Sequence, residues 1–312
     1  MCSNTLTDIN FVLQIIIFDQ KSGKMKKYIA SVFVIISFLL CGCSHSKDKD
    51  SVKVMTMNVR YDNPDDSINA WPNRIPLFSK VISDEKPDIL GLQEVLWHQY
   101  EVIDSVLKEY SSVGVGRDDG ARGGEMSPVF FSKERFDLVR TLTFWLSETP
   151  ELPGSKGWGA SLPRIVTWVE LVDKNNHEHF YLFNTHFAHD SDSARIMSSK
   201  ILLKAVEKIS AGYQFIVTGD FNMLPYSTGY SILTGPDESV PILKDSYYVS
   251  ERKPSGPTFT YNGFSDKPGT GRVDYIFVKN GLRVLNQSTL IEKDNQIFIS
   301  DHWPVTANII IK

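Results

Sequence analysis

Six times between residues 51 and 302, a short apolar run that reads as a β-strand ends in a side chain that is costly to bury: Asn58, Glu94, His186, Asp220 with Asn222, Asp274, and Asp301 with His302. One such ending is ordinary, but six form a pattern. Strand ends in stacked α/β sheets converge on one edge, where carboxylates either share a cation or raise one another's pKa. The pattern therefore restricts the chain to a layered α/β fold with one polar edge.

The intervening periodicity agrees. Residues 52–59 alternate and are rich in strand formers, and residues 71–85 follow with helical apolar spacing at Ile75, Phe78, Val81 and Ile82, closed by Pro87. Residues 88–93 read as a strand, 95–110 as a helix, and 127–132, 136–146, 164–172 and 178–187 as further strands. Asp190 and Ser191 can cap a long helix with Ala194, Met197, Ile201, Ala205 and Ile209 on one face, ended by Gly212. Strands at 215–218, 258–261, 273–278 and 305–311 complete the chain. No Ser/Gly/Pro-rich linker or charge run divides residues 51–312, so a single α/β domain is expected there. Loops near 62–70, 116–125, 147–160 and 262–271 are rich in Gly, Pro and Asp, as a substrate-facing rim would be.

The first fifty residues read as an address. Met25-Lys26-Lys27 precedes 13 almost wholly apolar residues, Tyr28 to Leu40, and then Cys41-Gly42-Cys43-Ser44. A basic start, a short apolar run and small residues make an export signal. A bilayer span needs roughly 20 apolar residues, so a retained transmembrane helix is the weaker reading. Leu40-Cys41-Gly42-Cys43 resembles a bacterial lipoprotein cleavage box, in which the cysteine after the small residue carries lipid; the alternative is a plain signal cut near Gly42. The expected organisation is residues 1–24 not translated or not functional, 25–42 a lipoprotein signal, 43–50 a solvated tether, and 51–312 the domain. Removing residues 1–42 takes away Lys21, Lys24, Lys26, Lys27, Asp8 and Asp19, leaving 29 cationic and 35 anionic side chains, near −6. A long duplex gripped by a basic face is disfavoured, and an anionic substrate must be drawn in by a local site or metal.

The cysteines, Cys2, Cys41 and Cys43, all precede the body, so a metal there must be held by oxygen and nitrogen. Glu94 with Asp301 and Asn58 forms a hard oxygen set suited to Mg²⁺ or Mn²⁺. The segments Met57-Asn58-Val59, Leu92-Gln93-Glu94-Val95, Asn184-Thr185-His186-Phe187, Gly219-Asp220-Phe221-Asn222, Arg272-Val273-Asp274-Tyr275 and Ser300-Asp301-His302-Trp303-Pro304-Val305 resemble, in order, those of the endonuclease/exonuclease/phosphatase superfamily, to which deoxyribonuclease I-like enzymes belong. Asn-Val-Arg-Tyr-Asp and the stretch 120–131 are most similar to its secreted bacterial members.

The resemblance implies a four-layer α/β sandwich, two mixed sheets face to face with helices outside, and metal-dependent cleavage of a phosphate ester. It makes Glu94 the principal Mg²⁺ ligand beside Asn58 and Asp301. Asp220 would orient or deprotonate the attacking water, and Asn222 would bond a phosphate oxygen. His302 would hold the phosphate, oriented by Asp274, and His186 would be a second donor, able to protonate the leaving oxygen. Arg60 stands where some members carry a second acidic ligand and, with Arg164, is a candidate phosphate contact.

Each residue also has a plainer reading. Asn58 could bond a loop, Glu94 could be a first-turn helix acid, His186 a core histidine, and Asp220 with Asn222 a self-bonded turn. Asp274 could pair with Arg272, Asp301 could cap a turn, Arg164 could form a salt bridge, and His189 could sit on the surface. Glu125 could face the substrate or lie in a solvated turn, and Trp71, Trp145 and Trp158 default to packing.

The expectation is an exported, lipid-anchored, monomeric phosphoesterase of a bacterial envelope, at the outer membrane or in the periplasm. It would cleave a phosphodiester or phosphomonoester by in-line attack of a metal-ordered water, with no protein partner inferred. The alternatives are a non-catalytic envelope lipoprotein that binds a phosphorylated or glycan ligand, and a zinc hydrolase using His186, His189 and a carboxylate.

Overall fold

The computed structural model describes residues 15–19, 24–28, 51–235, 243–267, 269 and 271–311. The chain divides into two units, Met1–Ser46 and Lys47–Lys312. In the first, strands β1 (Ile15–Asp19) and β2 (Lys24–Tyr28) pair as an antiparallel hairpin. The expected signal and tether lie outside the described residues, apart from residues 25–28 within β2. No described helix is long and apolar enough to cross a membrane.

The second unit is built on two six-stranded sheets. In chain order its strands are β3 (Ser51–Asn58), β4 (Ile89–Gln93), β5 (Tyr110–Val113), β6 (Val129–Ser132), β7 (Phe136–Trp145), β8 (Ile165–Asp173), β9 (His179–His186), β10 (Gln214–Asp220), β11 (Leu243–Asp245), β12 (Asp274–Lys279), β13 (Arg283–Thr289), a small β14 (Lys293–Asp294) and β15 (Ile297–Phe298) pair, and β16 (Val305–Ile310). One sheet runs β11-β12-β10-β9-β8-β7 and the other β13-β16-β3-β4-β6-β5. Each is mixed, with one parallel pair, β9/β10 and β3/β4 respectively.

Period-2 alternation explains the layering. On β3, Val52 and Val54 face the other sheet, where they meet Leu182, Ile216 and Ile276, while Met55 and Met57 face helix α1 (Trp71–Glu85) through Phe78 and Val81. Helix α2 (Trp97–Val106) joins that outer layer through Ile103. Helices α3 (Asp192–Ser210) and α4 (Thr228–Thr234) cover the other sheet through Leu202, Val206 and Leu233. The result is the expected helix, sheet, sheet, helix sandwich. Each fully buried aliphatic or aromatic side chain contributes about 1.5–3 kcal/mol, so these three apolar layers are the main source of stability.

Local signals set several boundaries. Ser191 caps α3 by accepting from Ala194 N at 3.1 Å, and Ala211 takes the left-handed position that ends it, followed by Gly212, also at positive φ. The second helix is shorter than its pattern: it stops at Val106, and Tyr110–Val113 pairs with β6 as an edge strand. The strand expected at 258–261 is a loop stitched to the chain end by Trp303 N to Thr260 O at 2.7 Å. Helix α5 (Ser246–Val249) and strands β11 and β13 carry too little periodicity of their own to be read from sequence.

Above the apolar inter-sheet core lies a polar layer. Thr56, Gln93, Asn184 and Thr218 all point inward and bond one another: Gln93 Nε2 donates to Thr56 Oγ1 at 3.1 Å and to Asn184 Oδ1 at 2.7 Å, and Thr218 Oγ1 donates to the same oxygen at 3.0 Å. Asn184 Nδ2 donates across the sandwich to Leu92 O at 2.7 Å and Pro128 O at 3.0 Å. Gly91 makes room, since a Cβ there would lie 2.5 Å from Thr218 Oγ1 and 2.7 Å from Asn184 Oδ1. Two residues further along β3, β9 and β10, on the same face, stand Asn58, His186 and Asp220.

Candidate active site

Strand register places the polar endings at one level. Asp220 is the cross-strand neighbour of Asp274 on one side and of His186 on the other, while Asn58 ends β3 beside Gln93, the residue before Glu94. All lie at the same edge of the sandwich, and Asn58, His186, Asp220, Asp274, Asp301 and His302 are buried.

Asn58 links the two sheets: its Nδ2 donates to Glu94 Oε1 at 2.9 Å and to Asp220 Oδ2 at 3.0 Å. Its Oδ1 accepts from Arg60 N at 2.9 Å, so the plain loop-bonding reading holds for one end of the amide only. Glu94 Oε2 accepts from Tyr61 N at 3.1 Å. Arg60, Glu94 and Asn222 all occupy the left-handed region, with φ of 58°, 60° and 50°. Such backbone costs about 1–3 kcal/mol per residue and persists where surrounding structure enforces it, which is common at functional sites.

His302 Nδ1 lies 2.8 Å from Asp274 Oδ2, and its Nε2 faces Asp220 Oδ2 at 3.8 Å. Burial opposes a charge on this imidazole, but Asp274 and Asp220 outweigh it and hold the pKa well above the ordinary histidine value. Burial, reinforced by the Asp274 charge, pushes Asp220 up to about 7. Arg272 is occupied by Asp245 at 2.8 Å, which leaves Asp274 to the histidine.

His186 behaves in the opposite way. Burial and the nearby Arg164 and Arg117 charges hold its pKa well below the ordinary value, so the ring is neutral. Asn222 Nδ2 donates to Phe187 O at 3.0 Å and lies 3.0 Å from His186 Nε2, an arrangement that places the ring proton on Nδ1. That Nδ1 is buried without a hydrogen-bond partner, and Glu125 Oε2 is 3.7 Å away. Asn222 N also donates to Asp220 Oδ1 at 2.9 Å, fixing the turn.

Arg117 grips Glu125 with two bonds, at 2.7 and 2.9 Å. Arg164 is buried beside them, with Nη2 2.9 Å from the exposed His189 and with Nε and Nη1 unpartnered. No carboxylate among the described residues comes within ion-pair distance of Arg164. Arg117, Glu125, Arg164 and His186 line one small cavity with Ser127 and Pro163. Arg117 carried no signal in the sequence, whereas Glu125 and Arg164 did. Arg60 forks onto Asp66 at 2.9 and 3.0 Å, with Nε 3.9 Å from Asp301 Oδ2. Trp71 and Trp145 are buried, and Trp158 is half-buried.

The donor chemistry fits a hard divalent cation. Glu94, His186 and Asp220 present ligand atoms within 4.8 Å of one another, as do Asp220, Asp274 and His302, although a protonated His302 has no lone pair to give and leaves that group to its two carboxylates. Asp301 lies outside both groups, on the Arg60 side. Burial and the Glu94 charge nevertheless raise its pKa, and burial and the same charge raise that of Glu125. Carboxylates that repel one another across Glu94, which is bonded by neutral amides, are what a cation would relieve.

The profile of the endonuclease/exonuclease/phosphatase family matches residues 55–302. An endonuclease/exonuclease/phosphatase structure from Bacteroides vulgatus is 34% identical with a TM-score of 0.80, covering 84% of this chain and 99% of that one. A mannosyl-6-phosphatase from Bacteroides thetaiotaomicron is 32% identical with a TM-score of 0.77, covering 84% of this chain and all of that one (100%). A probable RNA exonuclease of Schizosaccharomyces pombe is 25% identical over 239 residues, 72% of this chain but 41% of that protein's length.

Proposed function

Because the chain belongs to the endonuclease/exonuclease/phosphatase family, we propose that it is an exported, lipid-anchored phosphoesterase that uses Mg²⁺ or Mn²⁺ to hydrolyse a small phosphate ester. The observation that carries the catalytic reading is the convergence of Asn58, Glu94, Asp220, Asp274 and His302 at one sheet edge, with Asp220 raised to about 7 and His302 held protonated.

Glu94, with Asn58 and Asp301, would hold the cation. When bound, it supplies charge neutralisation on a phosphate oxygen and an acidified water. Asp220 aligns the attacking water and takes its proton, a task suited to a carboxylate whose pKa lies near neutrality. His302, fixed by Asp274, donates to a phosphate oxygen as negative charge develops there. Asn222 holds the neutral His186 in place, and a phosphate oxygen that replaces the imidazole as its acceptor would receive the same N–H. His186 then offers Nδ1–H, and Arg164 its two unpartnered donors, to the phosphate or leaving group. Arg60, beside Asp301, supplies fixed positive charge where a second acid would call for another cation.

The net-negative body disfavours a long duplex, and the mannosyl-6-phosphatase similarity makes a sugar phosphate monoester the first substrate to test. Hydrolysis by the full chain would be followed on mannose 6-phosphate, a chromogenic phosphodiester, short RNA and single-stranded DNA, with Mg²⁺, Mn²⁺, Zn²⁺ or chelator. Mg²⁺- or Mn²⁺-dependent turnover that vanishes in Glu94→Ala supports the proposal. Silence on every substrate would favour the ligand-binding lipoprotein, and turnover that follows Zn²⁺ alone would favour the zinc reading. For the anchor, palmitate labelling in a bacterial host should disappear in Cys43→Ser; labelling that persists would reject this lipid site.

A further inference from the structure

Arg74, in the first turn of α1, is fully buried, yet its donors go to backbone carbonyls. Nε donates to Asn69 O at 2.6 Å, Nη1 to Ile299 O at 3.0 Å and also to Val59 O, and Nη2 to Arg60 O at 3.0 Å. Burial depresses its pKa to about 10, so the charge is held there against its desolvation. Filling volume would need only Leu or Met, neither of which brings a charge to desolvate. What an apolar residue cannot do is gather four carbonyls from three segments with one planar group.

Two of those segments carry the metal side of the site. Val59 and Arg60 follow Asn58, and Ile299 stands two residues before Asp301. Arg60 O also accepts from Gln99 Nε2 at 3.1 Å, and Gln99 Oε1 accepts from Asp62 N at 3.0 Å and from Leu96 N at 3.1 Å, two residues after Glu94. One carbonyl, that of the left-handed Arg60, thus joins the three loops that bear Asn58, Glu94 and Asp301.

We infer that Arg74 is a positioning residue for the cation: with Gln99, its planar fork sets the separation of Asn58, Glu94 and Asp301 through the Arg60 carbonyl. The inference rests on reading those three side chains as the cation's holders. A merely structural clamp would alter stability without altering metal affinity.

Arg74→Met in the full chain separates the two roles. Three quantities are measured: the thermal midpoint in chelator, Mn²⁺ affinity by electron paramagnetic resonance titration, and kcat/KM at fixed and at excess Mn²⁺. The expected result is a folded protein whose Mn²⁺ Kd rises about 10- to 100-fold, the usual effect of losing a group that orients a metal ligand. Its kcat/KM should fall at limiting Mn²⁺ and recover in excess. Arg135→Met is the control, because Arg135 binds Ser51 O, Asp88 and Asp173 at the opposite end of the sandwich. It should lose thermal stability with Mn²⁺ affinity unchanged. If Arg74→Met does not fold, Gln99→Met is read in its place, with a smaller shift in the same direction. Wild-type Mn²⁺ affinity in the folded variant overturns the inference while leaving the metal reading intact. A wild-type chain that binds no Mn²⁺ overturns both.

Discussion

At the scale of single residues, two buried imidazoles of one site are driven in opposite directions by their neighbours. His302 faces Asp274 and Asp220 and is held protonated, whereas His186 lies among Arg117 and Arg164 and is held neutral. Asp274→Asn should therefore lower kcat through a His302 that is less often charged, and His302→Ala should lower it about 10²- to 10⁴-fold, the usual span of general acid–base assistance. Steady-state kinetics beside circular dichroism would check both, and undiminished turnover in His302→Ala would reject the assignment. Asp220 makes a linked prediction about stability. Its folded pKa of about 7 lies above the ordinary 3.8, so the folded state binds the proton more tightly. This contribution is fully present below the ordinary value and is lost as pH rises to about 7. In chelator, Asp220→Asn should match wild type near pH 4 and exceed it in thermal midpoint near pH 8. A gap that does not grow with pH would contradict the buried-carboxylate account.

At the scale of elements, the polar layer of Thr56, Gln93, Asn184 and Thr218 carries the alignment of β3, β4, β9 and β10 up to the row of Asn58, His186 and Asp220. The side chain of Asn184 bonds Gln93, Leu92 and Pro128 across the sandwich and Thr218 on the neighbouring strand, so the layer locks sheet to sheet. Gly91→Ala would drive a methyl into Thr218 Oγ1 and Asn184 Oδ1, and overpacking of this kind typically costs about 1–3 kcal/mol. Urea unfolding should show that loss, with a larger fractional drop in kcat than at an apolar core site of equal destabilisation. Equal drops would mean that the layer only supports the fold. The edge strand β5 and the 258–261 loop belong to the same scale. Their conformations were set by partners, β6 in one case and the Thr260–Trp303 stitch in the other, and not by their own side-chain period.

At the scale of the whole molecule, a net-negative body holds its carboxylates together at one edge, so removing a cation should be felt globally. A chelator should abolish hydrolysis and lower the thermal midpoint, and Mg²⁺ or Mn²⁺ should raise it through a mass-action stabilisation of about 2.7 kcal/mol at a hundredfold excess over Kd. Calorimetry would check this, and a midpoint indifferent to both ions would contradict a cation at this edge. Sequence alone determined the α/β class, the long helices at 71–85 and 192–210, and the placing of Asn58, Glu94, His186 and Asp220 where strands finish, because period-2 and period-3.6 burial and the cost of a buried polar group are written locally; Asp274 instead opens β12 and Asp301 stands in the loop before β16. Tertiary structure decided which endings touch. Only the register of β9, β10 and β12 sets His186, Asp220 and Asp274 side by side, and only the facing of the two sheets brings Asn58 to Asp220. It also brought in Arg117 and gave Arg74 its four carbonyls. Those contacts span loops whose closeness comes from burial of the whole core, which no local window of sequence contains.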